Sequence, residues 1–284
     1  MNILLIDSSY TSFYRFFATV RWYSFAYKEH YNEIKSDVNY DWLSNKIFTD
    51  TYSRMYLDSI KKLVKPKIFN NSYLFFCQDD HKCKLWRNKI HENYKEGRQD
   101  LTLKFNFKPV FEYTYKTLIP KFISDFKNIF AIKVECVEAD DIIAVMANLL
   151  KNVDIPTFII SGDDDFTQLG RKNLYIVDYK TKKIKNLSEE ESKKELYKKI
   201  INGDKSDNIN SIFKDIKISN KNKKEIIEDE NKLFDFLKNN TNAKKQYEEN
   251  QKLIDFNFIP KSIKKKIMKK IDEQFNIANP KIII

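Results

Sequence analysis

Apolar, β-prone runs in this chain end repeatedly in carboxylates. ILLI runs into Asp7, YLFFC leads to Asp79 and Asp80, IFAIKV precedes Glu138, Asp140 and Asp141, and TFIIS precedes Asp163, Asp164 and Asp165. The phrase GDKSDN adds Asp204 and Asp207. In an open parallel α/β sheet the ligand crevice lies at the carboxyl ends of the strands, so acids placed there from several strands converge. Converging carboxylates cannot stay ionised without cations, and hard oxygen donors in that number call for Mg²⁺ or Mn²⁺. The pattern predicts an α/β fold with a mostly parallel central sheet flanked by helices.

Strands are expected over residues 3–6 and 73–77, at IFAIKV, at TFIIS and at LYIVD. Helical spacing of Trp42, Ile47, Met55, Ile60 and Leu63 predicts a helix within 41–64, ended by Pro66. Further helices are expected around 112–126 and from about 138, with Ile142, Val145, Met146 and Leu149 on one side. After about residue 186 the strand signals stop and Lys/Glu/Asn-rich helical stretches take over. The expected division is an α/β core over 1–185 and a helical region over 186–284.

The 284 residues carry a net charge of +11, which suits a polyanionic partner such as nucleic acid. A soluble basic protein from a lysine-rich proteome would show the same charge; acids set inside a basic chain favour the first reading. Cys77, Cys83 and Cys136 have no metal-ligand spacing and read as reduced thiols. His30, His81 and His91 are too scattered for a zinc site. The first apolar run is short and broken by Asp7, so no signal peptide is expected, and no run is long enough to span a membrane. Four glycines, at 97, 162, 170 and 203, allow neither a P-loop nor a GxGxxG turn, which argues against ATPases and dinucleotide enzymes of those types.

Asp7 alone is a weak signal, since helix capping would explain it equally. The EADD phrase is stronger. Glu138 and Asp141 share a helical face, and three acids in one first turn repel one another more than the helix dipole, worth up to about 1 kcal/mol, requires. In GDDD only alternate residues point the same way, which makes Asp163 and Asp165 the ligands and Asp164 the spare. Asp204 and Asp207 fit an Asx turn as well as a metal. The segment KCKLWRNKIHENYKEGR interleaves Arg87, Lys89, Lys95 and Arg98 with Trp86 and Tyr94. On a helix Lys95 and Arg98 share a face. Cations there would stabilise a scissile phosphate and Tyr94 would stack on a base. By itself the segment also fits an ordinary amphipathic surface helix.

Six phrases, LLIDSS, FFCQDD, WRNKIHENYKEGR, VEADDIIAV, IISGDDDFTQL and INGDKSDNI, run in order from residue 3 to 209. Together they resemble the 5′-nuclease superfamily of flap endonucleases and 5′–3′ exonucleases. YEENQKLIDFNFIP and FTQL are similar to the branch of T-even bacteriophage enzymes called ribonuclease H. The resemblance implies a PIN-like nuclease core and two Mg²⁺ ions, with Mn²⁺ able to substitute. Asp7, Asp79, Glu138, Asp140 and Asp163 would gather around one ion, and Asp165, Asp204 and Asp207 around a second, looser one. Asp141 would support them. Lys95 and Arg98 match the cations of a helical arch or gateway over about 82–105, and Tyr94 its base-stacking position. The choice of Asp79 over Asp80 rests on the phage branch. Implied substrates are DNA duplexes, flaps and RNA–DNA hybrids, cut from the 5′ side to leave 5′-phosphates, with removal of RNA primers in lagging-strand replication as the role. A single-stranded-DNA-binding protein and a sliding clamp are implied partners of a monomer in the cytoplasm, the host cytoplasm if phage-encoded.

One departure stands out. After GDKSDN the family's glycine-rich helix–hairpin–helix, which holds K⁺, is replaced by NSIFKDIKISNKNKK, without glycine. Lys214, Lys217, Lys221, Lys223 and Lys224 are candidates to contact phosphate there instead, as Arg87 and Lys89 are in the arch. Two other readings stay open: a PIN-type endoribonuclease, and a non-catalytic junction-binding protein that keeps the fold.

Overall fold

The computed structural model describes residues 1–80, 84–96 and 107–278, with side chains to 274. Six strands form one sheet: β1 (Asn2–Asp7), β2 (Ser72–Gln78), β3 (Ile129–Lys133), β4 (Thr157–Ile160), β5 (Leu174–Val177) and β6 (Ile184–Lys185). Their order is β3-β2-β1-β4-β5-β6. The first five are parallel and β6 pairs antiparallel with β5. The chain builds outward from β1 through β2 to β3, then crosses back to place β4 on the other side of β1. The order therefore reverses between β1 and β4, where an α/β sheet opens its crevice.

Helices cover both faces, which is why the strands are continuous apolar runs rather than alternating ones. On one face α1 (Ser8–Ala26), α3 (Lys46–Val64), α5 (Lys108–Tyr113) and α6 (Ile119–Asp125) pack on Leu4, Ile6, Leu74, Phe76 and Ile160. Two short helices, α2 (Lys28–Ile34) and α4 (Pro66–Phe69), lie between these in sequence. On the other face α7 (Ala139–Leu149) and α12 (Lys261–Ala278) pack on Ile3, Leu5, Phe75, Phe130 and Ile132. The rest is helical: α8 (Glu189–Asn202), α9 (Asn220–Glu228), α10 (Glu230–Asn239) and α11 (Thr241–Ile254).

Several local expectations are corrected. The spacing argument missed α1, because much of its inward face is Ser8, Thr11, Ser12 and Thr19. The hydroxyls of Ser12 and Thr19 are satisfied by the carbonyls of Ser8 and Arg15, so small polar residues bury without an apolar signature. In α3 the buried stripe is Phe48, Tyr52, Tyr56, Ile60 and Val64; Ile47 is exposed, and Trp42 is buried ahead of the helix. The two tyrosines bury because Tyr52 meets Thr114 Oγ1 at 2.8 Å and Tyr56 meets Ser12 Oγ at 2.9 Å. Between α5 and α6 the helix widens to a π turn over Thr114–Leu118. Cys77 is a free, buried thiol, but Cys136 is disulfide-bonded, against the expectation of reduced cysteines throughout.

Candidate active site

The crevice receives its acids from five places. Asp7 closes β1 and caps α1, accepting from the Tyr10 amide at 3.0 Å and from Ser161 Oγ at 2.8 Å. Asp79 follows β2 and accepts from the Ala139 amide at 2.7 Å and from Ser9 Oγ. Its neighbour Asp80 turns elsewhere, taking Lys133 Nζ at 3.1 Å and the Cys136 amide at 3.2 Å. That arrangement favours Asp79 as the ligand. Glu138 is the N-cap residue of α7 and Asp140 lies in its first turn. Asp163 follows β4 and caps a 3₁₀ turn, accepting from the Asp165 amide at 2.9 Å. Gly162 allows this turn to press against α1, since a Cβ there would strike the Tyr10 ring.

The electrostatics show how crowded this first group is. Burial, with Asp79 and then Asp163, pushes the Asp7 carboxyl up to about 7. Asp140 is pushed well above its ordinary value by burial and by Asp163, Asp7 and Asp79, in spite of Lys95. Carboxylates crowded this closely around Asp7 and Asp140 form a donor set that a hard divalent cation would relieve. The residues therefore fit a metal.

A second group stands beside the first. Asp165, Asp204 and Asp207 each bring an oxygen within 4.8 Å of the others. Asp204 and Asp207 sit in the turn after α8, which Gly203 ends with a φ of +69°. Asp204 does form the Asx-type turn, accepting from the Ser206 amide at 2.7 Å, while its other oxygen meets Lys199 Nζ at 2.8 Å. Lys199 also pairs with Asp165, and with Ser206 it holds the Asp204 carboxyl down at about 2 against the effect of burial. Asp164 is exposed and bonded to Lys185 at 3.0 Å.

Lys95 joins the two groups. Its Nζ pairs with Glu138 and lies 4.0 Å from Asp207 Oδ2, and its amide donates to the Asp207 carbonyl at 3.0 Å. Lys95 sits in a turn with φ +61°, so the helix expected here is absent at this point. Arg98 lies outside the described residues.

Two residues expected to contact nucleic acid are interior. Arg87 is 3% exposed. It grips Asp141 through Nη2 at 2.8 Å, Glu138 through Nη1 at 2.6 Å, and the Leu253 carbonyl through Nε at 2.9 Å. Trp86 Nε1 completes the cage by donating to Asp141 at 2.7 Å. Burial raises the Glu138 carboxyl, but Lys95 and Arg87 outweigh it and hold it below the usual range. Asp141 thus faces Arg87 and not the crevice. Tyr94 is also buried and donates to Asp207 Oδ2 at 3.0 Å, so no ring face is free for a base. Lys89 is exposed. Lys214, Lys217, Lys221 and Lys224 are exposed around α9, while Lys223 lies over the Phe213 ring at 5.6 Å. The turn without glycine uses Asn208 and Asp215, both at positive φ. The sequence reading missed Ser9, Tyr115, Ser161 and Lys199; only the position of Lys199, one turn before Gly203, carried a signal.

Comparison with known proteins gives a consistent picture. A family model described as the 5′–3′ exonuclease N-terminal resolvase-like domain matches residues 2–200. "Ribonuclease H" of Enterobacteria phage T4 is 29% identical over 176 residues, covering 59% of this chain and 55% of that protein. "Flap endonuclease Xni" of Shewanella woodyi is 36% identical over 91 residues, 31% of this chain and 32% of that one. The chain thus matches about half or less of the length of these relatives. Among solved structures, a bacteriophage T5 5′-exonuclease with bound zinc superposes with a TM-score of 0.64 at 16% identity, over 96% of this chain and 99% of that one. A bacteriophage T5 flap endonuclease complex with DNA and metal ions gives 0.62 at 16% identity, over 98% and 100%. At that identity these two speak for the fold.

Proposed function

Because the chain belongs to the family of 5′–3′ exonuclease N-terminal resolvase-like domains, we propose that it is a metal-dependent 5′–3′ exonuclease and flap endonuclease. Its substrates are DNA duplexes and RNA–DNA hybrids, and its role is removal of RNA primers in lagging-strand replication. The observation that carries this reading is the convergence of two carboxylate groups on the crevice between β1 and β4, joined by Lys95. Asp7, Asp79, Asp140 and Asp163, with Glu138, would hold one Mg²⁺, and Asp165, Asp204 and Asp207 a second. Bound divalent ions supply Lewis acidity and an activated water for phosphodiester hydrolysis.

The chain's own residues do the rest. Lys95 offers its ammonium where the charge of a scissile phosphate would be added to that of the acids. Arg87 and Trp86 hold Asp141 and Glu138 so that the first turn of α7 keeps its aim. The exposed lysines around α9 would follow a duplex backbone by charge alone, so binding should fall steeply with salt. The relatives named ribonuclease H and flap endonuclease support both substrate classes. Clamp and single-strand-binding partners belong to the same proposal, as does a monomer; among the described residues no helix is long and apolar enough to cross a membrane.

The test is a 5′-flap substrate labelled at either end, incubated with Mg²⁺ and with EDTA. Metal-dependent cutting at the 5′ end or the flap junction, leaving a 5′-phosphate, is expected. Binding without cutting in Mg²⁺ and in Mn²⁺ would overturn the reading in favour of a junction-binding protein.

A further inference from the structure

One polar chain enters the crevice from outside the acid groups. Ser9, in the first turn of α1, donates its hydroxyl to Asp79 Oδ2. The same Ser9 Oγ lies 2.7 Å from the Tyr115 hydroxyl. A serine hydroxyl has one proton, and here the carboxylate takes it. The remaining contact therefore runs from Tyr115 O–H to Ser9 Oγ. The other Asp79 oxygen accepts from the Ala139 amide at 2.7 Å. Both oxygens are thus gripped from fixed positions, which is how an oriented metal ligand is arranged.

The backbone is shaped to deliver this tyrosine. Tyr115 lies in the π turn Thr114–Leu118 between α5 and α6. An α-helix points consecutive residues about 100° apart, and the i→i+5 bonding of a π turn narrows that angle. Here it brings two neighbours to partners on the same side. Thr114 Oγ1 meets Tyr52 OH at 2.8 Å, and Tyr115 OH meets Ser9. The Tyr115 ring is stacked on Phe111 at 5.9 Å, which fixes its direction. Single π turns inside helices recur at functional sites.

We propose that Tyr115 and Ser9 are positioning residues that fix the rotamer of Asp79 as a metal ligand, and that the π turn exists to bring Tyr115 to that task. The inference rests on the metal-dependent nuclease reading. Tyr115→Phe keeps the ring and removes the hydroxyl; Ser9→Ala removes the link; Ser9→Thr keeps it. The probe is Mn²⁺ alone, titrated calorimetrically into the full chain without nucleic acid, alongside flap cleavage against Mg²⁺ concentration. Loss of an outer partner of a metal ligand costs about 10–100-fold in affinity or activity. Tyr115→Phe and Ser9→Ala should each weaken Mn²⁺ binding and raise half-saturating Mg²⁺ by about tenfold at least, on that scale. The double variant should be no worse than Ser9→Ala, since both act through one chain, and Ser9→Thr should keep metal affinity near that of the unaltered protein. Unchanged Mn²⁺ affinity in Tyr115→Phe, or additive losses in the double variant, would overturn the inference while leaving a cutting, metal-binding parent enzyme. A parent that neither binds Mn²⁺ nor cuts would overturn the nuclease reading and this inference with it.

Discussion

Replacing Arg87 by Met separates two roles that the sequence alone confuses. The guanidinium is 3% exposed and is shared by Glu138 and Asp141, which are 1% and 0% exposed. Removing one partner of a buried ion pair costs about 3–5 kcal/mol, because the other charge stays buried. Two carboxylates and the Leu253 carbonyl lose this donor together, while Lys95 still reaches Glu138 and Trp86 still reaches Asp141, which keeps the loss within that range. A protein of this size loses about 2–4 °C of Tm per kcal/mol, so the expected drop is about 6–20 °C. The assay is thermal and urea unfolding in EDTA, where metal binding does not contribute. Adding Asp141→Asn to Arg87→Met should recover part of the loss, since the amide removes one orphaned charge. A Tm within about 2 °C of the parent, well below the loss expected for a buried pair, would refute the reasoning. If that result came with weaker DNA binding and a salt slope shallower by about one, Arg87 would be the phosphate contact its sequence context suggests.

The acids give further tests. Asp163→Asn and Asp165→Asn should abolish flap cleavage while flap binding by gel shift survives; normal cutting would remove both from the site. The folded, metal-free protein binds a proton at Asp7 more tightly than the unfolded chain, since the carboxyl is raised from 3.8 to about 7. Its stability should therefore be greatest at low pH and fall as pH rises through about 7, by about 4 kcal/mol at most from this group. Glu138, held below 4.5, acts in the opposite sense, its contribution being lost only as the pH drops below that value. Melts in EDTA from pH 5 to 8 should show the fall and excess Mg²⁺ should remove it; a flat EDTA profile would contradict the crowding of Asp7. Gly162→Ala should cost about 1–3 kcal/mol by forcing the Tyr10 ring aside, and an unchanged urea midpoint would show that the turn has room.

The strands of the parallel sheet were legible because both their faces are buried, which leaves uninterrupted apolar runs. The acids were legible as residue types at strand ends, and their grouping followed once strand order was known. What could not be read were partners far apart in sequence. Arg87 and Tyr94 look like surface cation and surface ring until Glu138, Asp141 and Asp207 are brought against them. A buried face made of Ser and Thr, as in α1, has no hydrophobic period. The π turn leaves no mark in apolar spacing, because it changes phase within a single helix. Ser9 and Tyr115 carry no charge and so no electrostatic signature in the sequence. In a chain with 51 Lys and Arg, nothing singles out Lys199 except its place at the end of α8.

The acids of the crevice come from Asp7 at one extreme and Asp207 at the other, with β4 between them arriving after β2 and β3. During synthesis, at about 5–20 residues per second, a ribosome needs about 10–40 s to travel from the first acid to the last. Until the turn after α8 has emerged, the growing chain carries an incomplete set of carboxylates and no Lys95–Asp207 contact.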